Sequence, residues 1–262
     1  MFSYIDTHAH LYLPDFDHDR DAVIETALNR GVGKIILPNI DSTSIDPMNN
    51  LAGRFPDVCY PLMGLHPSSV KENYRDELAR VEHELKHGHY AGIGEIGIDL
   101  YWDKSHQKEQ SLAFSRQLDL SLRYNLPVVI HARESFPVIL EILEGYRNKG
   151  LTGIFHAFTG TTDIAEQVTG MGFKLGIGGI ITYKKSTLPE VVLATRLENL
   201  VLETDSPYLT PVPFRGKRNE SSYIPYVAEA VKQIKNISLD EVARLTTRNV
   251  LNLFSLDHAR PN

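Results

Sequence analysis

Short apolar runs and amphipathic stretches alternate along the whole chain. Runs rich in β-branched and aromatic residues fall at residues 4–8, 34–37, 58–64, 90–95, 128–131, 152–156, 173–177 and 200–203. Such runs, a few residues long and bounded by glycine, proline or polar residues, predict strands. Between them apolar residues recur at helical spacing over residues 19–29, 76–86, 106–124, 135–147, 162–169 and 188–197. Residues 41–51 predict a weaker helix, opened by Asp41, Ser42 and Thr43 and interrupted by Pro47. Two further helices are predicted over 223–234 and 239–253. Ser238, with Glu241 three residues on, forms a capping box for the last of them.

Strands that alternate with helices are joined in parallel by right-handed crossovers. Eight such units in 262 residues predict a closed (β/α)8 TIM barrel, spanning residues 1–262 as a single domain. The longest irregular stretch, residues 206–222, carries prolines at 207, 211 and 213. A loop that long in a barrel of this size points to function.

Composition narrows the class. With 42% hydrophobic and 23% charged residues, the chain is ordinary globular protein. The single cysteine, Cys59, excludes an internal disulfide and sits in an apolar run that predicts core packing. A net charge of −6 excludes a protein that coats nucleic acid by bulk electrostatics, but not an enzyme that grips a few phosphates locally. With no signal peptide pattern and no apolar run of membrane-span length, the expectation is a cytoplasmic protein without a membrane partner, and a monomer.

The chemistry gathers where the strands end. His8 and His10 close the first run two residues apart, so that in an extended chain both imidazoles face one side. Spacing alone decides little. His87 and His89 repeat it after a charged helical stretch, where Gly88 and the helix dipole explain a solvated helix end. In a (β/α)8 barrel the active site lies at the C-terminal ends of the strands. His8 and His10, Glu95, His131, His156 and Asp205 reach that rim from five strands, and strand three runs into His66. Four histidines and two carboxylates exceed the ligand set of one tetrahedral zinc and suit two ions sharing a carboxylate. Two cations offset the charge of a phosphodiester, lower the pKa of a water and stabilise a leaving oxygen. Imidazole with carboxylate admits zinc, manganese, iron or nickel, and magnesium less readily.

The runs Asp6-Thr7-His8-Ala9-His10, Gly64-Leu65-His66-Pro67, Gly92-Ile93-Gly94-Glu95-Ile96-Gly97-Ile98-Asp99, His131-Ala132-Arg133, His156-Ala157-Phe158-Thr159-Gly160 and Leu202-Glu203-Thr204-Asp205-Ser206-Pro207 closely resemble the TatD family of metal-dependent deoxyribonucleases, among the amidohydrolase-like barrels. The resemblance runs from residue 4 to about 254. It implies that His8, His10, Glu95 and Asp205 hold one divalent metal ion and that Glu95, His131 and His156 hold a second. It makes Asp205 the proton acceptor from the attacking water and leaves His66 in the site as a non-ligand. Zn, Mg or Mn would serve as the metal. Ala157 stands where many relatives carry cysteine, and the loop of residues 212–220 is expected to vary between members, which leaves substrate preference open.

The resulting expectation is a metal-dependent hydrolase that cleaves DNA phosphodiester bonds. An ester or amide hydrolase, including a D-aminoacyl-tRNA deacylase, is the alternative. Arg133, Arg215, Lys217, Arg218, Lys184 and Lys185 are expected to contact phosphates, with Tyr183 or Phe214 stacking on a base. Gly92, Gly94 and Gly97 spell a dinucleotide fingerprint, but no helix opens directly after them, so nucleotide-cofactor binding is not expected. His18, His83, His106 and His258 read as surface residues.

Overall fold

A computed structural model of the protein describes residues 4–101 and 104–256. Among them the chain forms strands β1 (Tyr4–Asp6), β2 (Val32–Pro38), β3 (Cys59–Leu62), β4 (Ile93–Asp99), β5 (Val128–Arg133), β6 (Gly153–Phe155), β7 (Phe173–Ile177) and β8 (Leu200–Leu202). The helices are α1 (Arg20–Asn29), α2 (Ile45–Arg54), α3 (Tyr74–His87), α4 (Gln107–Tyr124), α5 (Phe136–Glu144), α6 (Thr162–Gly170), α7 (Leu188–Ala194), α8 (Ile224–Lys235) and α9 (Leu239–Phe254). His258 lies outside the described residues.

Neighbouring strands pair in parallel in chain order, β1 to β3 and β4 to β8. Two seams close the ring. Residues Leu62 and Gly92 bridge β3 to β4, and Ala9 bridges to Ser206 next to the Thr7 amide, which donates to the Leu202 carbonyl at 3.0 Å. The result is the predicted (β/α)8 barrel.

The side-chain period of two divides β1, β2, β3, β5, β6 and β8 between two cores, while the apolar side chains of β4 and β7 all join the larger one. Ile5, Ile36, Tyr60, Leu62, Val129, Ile154 and Val201 make one cluster, completed by Val250 and Phe254 from α9. Their strand neighbours, among them Tyr4, Ile35, Leu37, Val128, Ile130, Phe155, Leu200 and Leu202, belong to the larger cluster shared with the helices. The first cluster therefore fills the barrel interior, and α9 plugs its lower end. Burying a side chain the size of Phe254 there stabilises by about 1.5–3 kcal/mol. Two residues further along the same faces, Val129 leads to His131, Ile154 to His156 and Val201 to Glu203. The apolar floor thus sets the direction of the groups above it.

Several elements differ from expectation. The fourth strand runs to Asp99 rather than stopping at Glu95, which places Glu95 inside β4. Gly97 has φ +141, and a Cβ there would lie 2.0 Å from the His131 carbonyl oxygen, so glycine permits the close approach of β4 to β5. The dinucleotide-like glycines are thus strand glycines, and α4 starts only at Gln107. Helix α2 begins at Ile45, because the Ser44 hydroxyl accepts from the amides of Ile40 and Asp41 and so holds that turn outside the helix. Pro47 then falls in the first turn, where an amide has no partner within the helix, and does not interrupt it. Ser238 caps α9 as expected, its hydroxyl accepting from the Glu241 amide at 3.1 Å. Cys59 is buried in β3. His87 and His89 are exposed at the end of α3, whose cap Gly88 is extended (φ −104) rather than left-handed.

Candidate metal centre

The barrel mouth holds a cavity of about 710 Å3. His10, His66, Glu95, His131, His156 and Asp205 all line it, and His8 lies buried beneath. Glu95 is the hub. Its Oε1 is 2.7 Å from His156 Nε2, 2.8 Å from His131 Nδ1 and 3.1 Å from His66 Nε2. Its Oε2 is 3.0 Å from His8 Nε2 and 3.5 Å from His10 Nε2. Asp205 Oδ1 stands 3.7 Å from each of those same two nitrogens. One carboxylate thus divides its oxygens between two sets of imidazoles.

The second ring nitrogen of each histidine decides which could bind a metal, since a ligating imidazole needs a bare lone pair. The Tyr12 hydroxyl donates to the Pro38 carbonyl at 2.5 Å, so it accepts from His10 Nδ1 at 2.8 Å. That keeps the proton on Nδ1 and leaves Nε2 bare. Asp99 Oδ2 lies 3.0 Å from His131 Nε2, a carboxylate that holds a proton there, so that in the neutral ring Nδ1 is the nitrogen that could ligate. His66 is the opposite case. The Ser68 amide donates to its Nδ1 at 3.1 Å, so the neutral ring carries its proton on Nε2 and donates it to Glu95. By distance His66 belongs with Glu95 and His131 in a group that could hold a metal; its hydrogen bonds make Nε2 a donor to Glu95 in the metal-free chain. The remaining nitrogens, His8 Nδ1 and His156 Nδ1, are buried without a hydrogen-bond partner among the described residues. Lone pairs from imidazoles and carboxylates that converge within 4.8 Å fit a divalent metal.

Burial and charge set the protonation states. Burial alone would raise the Glu95 carboxyl, but the imidazoles of His156, His66 and His8 outweigh it and hold Glu95 well below the usual carboxylate range. Burial, with His156 nearby, keeps His8 neutral by pushing its imidazolium well down. Burial also lowers His66. At His131 burial acts the same way, yet the bonds to Asp99 and Glu95 raise the imidazolium to about 9. Burial lifts Asp205 to about 7, helped by the charge of Glu95.

Four residues at this site carry no role in the sequence reading. Tyr12 lies two residues after His10, in a turn beyond β1. Asp99 lies on the same alternation as Glu95 and Gly97, which an extended β4 would have revealed. Glu203 follows from Val201 by the same rule. It is fully buried beneath His156, accepts from the Ala157 amide through Oε1, leaves Oε2 without a partner and is pushed up by burial to about 8. Asp205, two residues later, reaches the cavity from a left-handed backbone (φ 59) that periodicity cannot signal. Tyr208 lines the cavity from the following turn.

The expected phosphate contacts separate into two groups. Arg133 lines the cavity, its guanidinium 3.9 Å over the Tyr101 ring. Tyr183, Arg215 and Lys217 do not line it. Arg215 covers the Tyr183 ring at 4.2 Å, and the Tyr183 hydroxyl donates to the Thr210 carbonyl at 3.0 Å. Lys217 lies 5.9 Å over Phe214, which stacks at 4.3 Å on Tyr223. Arg218 is bound internally, to both Asp19 oxygens and the Asp15 carbonyl. Lys184 and Lys185 are exposed. Of the histidines read as surface residues, His18 and His83 are exposed and His106 is half-buried near Glu72 and Glu109.

Known proteins resemble this chain over nearly all its length. The model of the family described as TatD related DNase matches residues 5–255. The metal-dependent hydrolase YabD of Bacillus subtilis (strain 168) is 37% identical over 253 residues, 96% of this chain and 99% of that protein. The 3'-5' ssDNA/RNA exonuclease TatD of Erwinia tasmaniensis is 30% identical, covering 92% of this chain and 95% of its own. The crystal structure of the TatD homologue YjjV from Escherichia coli K12 superimposes with a TM-score of 0.92 at 30% identity, over 97% of this chain and 98% of that one.

Proposed function

The chain belongs to the TatD related DNase family, and from that premise we propose that it is a metal-dependent hydrolase cleaving DNA phosphodiester bonds at a two-metal site. What supports this reading most is the division of the Glu95 carboxylate, Oε1 toward His131 and His156 and Oε2 toward His8 and His10. His8, His10, Glu95 and Asp205 would hold one divalent ion, and Glu95, His131 and His156 the other. Such ions neutralise a phosphodiester's charge and make a water acidic enough to attack it at neutral pH.

The chain's own groups do the rest. Asp205, whose carboxylate faces the cavity, would accept the proton of the attacking water. His66 keeps its Nε2 proton on Glu95 and fixes that carboxylate's orientation. Arg133 offers a cation to a substrate phosphate at the cavity wall. Arg215, Lys217, Lys184 and Lys185 lie beyond the cavity and would track the strand further out. The chain would act as one barrel domain, residues 1–262, in the cytoplasm; no helix among the described residues is long and apolar enough to cross a membrane.

The test is to measure bound metals in the purified protein and to assay phosphodiester, ester, amide and aminoacyl-tRNA substrates with zinc, manganese and magnesium in turn. Cleavage of DNA, abolished by Asp205→Asn with metal still bound, is expected. Turnover of the esters or amides alone would replace the nuclease reading by the amidohydrolase alternative.

A further inference from the structure

Among the described residues two large aromatic side chains stand exposed, Tyr208 at 54% in the cavity wall and Tyr101 at 46% beside the cavity-lining Arg133. The Tyr101 ring already carries the Arg133 guanidinium at 3.9 Å. Tyr183 and Phe214 are covered by Arg215 and Tyr223. Tyr208 lines the cavity, and its ring has no stacking or cation partner among the described residues. An aromatic ring is left in water at the edge of the cavity that His10, Glu95, His131, His156 and Asp205 line.

The backbone under that ring is held from several sides. The Tyr208 amide donates to the Asp205 carbonyl at 2.7 Å. Buried Asn219 donates through Nδ2 to the carbonyls of Tyr208 at 2.6 Å and Thr204 at 2.7 Å. Asp205 and Leu209, on either side, both take left-handed backbone, φ 59 and 54. A Cβ on Gly179 would lie 2.0 Å from the Leu209 carbonyl oxygen, so the turn after β7 presses directly against the segment. A ring on a pinned backbone pays little ordering entropy when a flat group lands on it. Ile180 and Leu209 add apolar wall to the same cavity.

We infer that Tyr208 is a specificity-determining residue whose ring stacks on an unpaired base next to the scissile phosphate. This rests on the nuclease reading of the site. A base inside a duplex has both faces occupied by its neighbours, so a platform of this kind selects splayed or single-stranded ends. Stacking is indifferent to base identity because every base has a π-face.

The experiment compares cleavage of a short single-stranded oligodeoxynucleotide with that of the same backbone in which every base is replaced by hydrogen. Wild type, Tyr208→Ala and Tyr208→Phe are assayed as metal-loaded full chains. Wild type is expected to favour the base-bearing strand. In Tyr208→Ala that preference should fall by about 5- to 150-fold, the range for one stacked base, and mainly through KM. Tyr208→Phe should keep it. Because the readout is a ratio within each variant, general damage to the fold cancels. A preference unchanged in Tyr208→Ala, lost equally in Tyr208→Phe, or absent from wild type overturns the inference and leaves the nuclease reading standing. Failure of wild type to cleave either strand overturns the nuclease reading, and this inference with it.

Discussion

Replacing Asp99 by asparagine separates two opposing effects at His131. Asp99 Oδ2 faces His131 Nε2 at 3.0 Å, while Oδ1 accepts from the Tyr101 amide at 2.9 Å. Asparagine offers one oxygen, so one of these donors must face an NH2 group. A charge-assisted hydrogen bond of this kind contributes about 1.5–3 kcal/mol, or about 10- to 150-fold in affinity. Groups that orient a ligating histidine generally contribute about 10- to 100-fold to metal binding, in agreement. The opposing effect is proton competition. Despite its burial, His131 is raised to about 9 by Asp99 and Glu95 in the metal-free protein. Binding through Nδ1 requires that proton to leave, so wild-type affinity rises with pH up to about 9. At pH 7 it is about 100-fold below its plateau, two pH units at about 1.4 kcal/mol each. Asp99→Asn lowers the imidazolium and relieves part of that competition. The variant should therefore bind metal about 10- to 100-fold more weakly above pH 9, with a narrower gap at pH 7. Competition against a chromogenic chelator from pH 6 to 10 reads both quantities. A gap that is constant with pH, or none above pH 9, would refute the assignment of His131 as an Nδ1 ligand held by Asp99.

Three further outcomes follow from the same geometry. Tyr12→Phe removes the group that fixes the His10 tautomer and leaves the buried Pro38 carbonyl without its donor; it should cost about 1–3 kcal/mol in denaturant unfolding of the metal-free protein and lower metal content, and normal loading would contradict the tautomer argument. Gly179→Ala puts a Cβ 2.0 Å from the Leu209 carbonyl and must displace the segment bearing Tyr208; the expected loss is about 1–3 kcal/mol of stability with a rise in KM for DNA, and an unchanged KM would show that this segment does not present the substrate surface. The double variant Arg215→Ala, Lys217→Ala should weaken DNA cleavage and flatten its dependence on salt; identical rates at low salt would remove these cations from the substrate path.

The alternation of short apolar runs with helical stripes determined the barrel, because parallel strands buried on both faces read as continuous apolar runs while their crossover helices bury only one stripe. It also brought His8, His10, Glu95, His131, His156 and Asp205 to one rim, since the strands of a parallel barrel all end on the same side. Element ends were less legible. The apolar run predicts β4 only to Glu95, and the strand continues to Asp99 because Gly97 lets β4 approach β5 closely. The segments after β7 and β8 pointed to Tyr183 and Phe214 as stacking rings, yet both are covered, and the ring exposed on the cavity wall is that of Tyr208. Tertiary structure alone decided the protonation pattern. Whether a histidine can hold a metal depends on what meets its other nitrogen: Tyr12 for His10, Asp99 for His131, the Ser68 amide for His66. His66 and His131 are the same residue type at the same distance scale from Glu95, and only those partners distinguish a ring that donates to Glu95 from one that could ligate. A hydrogen bond to a ring nitrogen acts over about 3 Å and depends on direction, so the decision waits for the fold that brings the partner there.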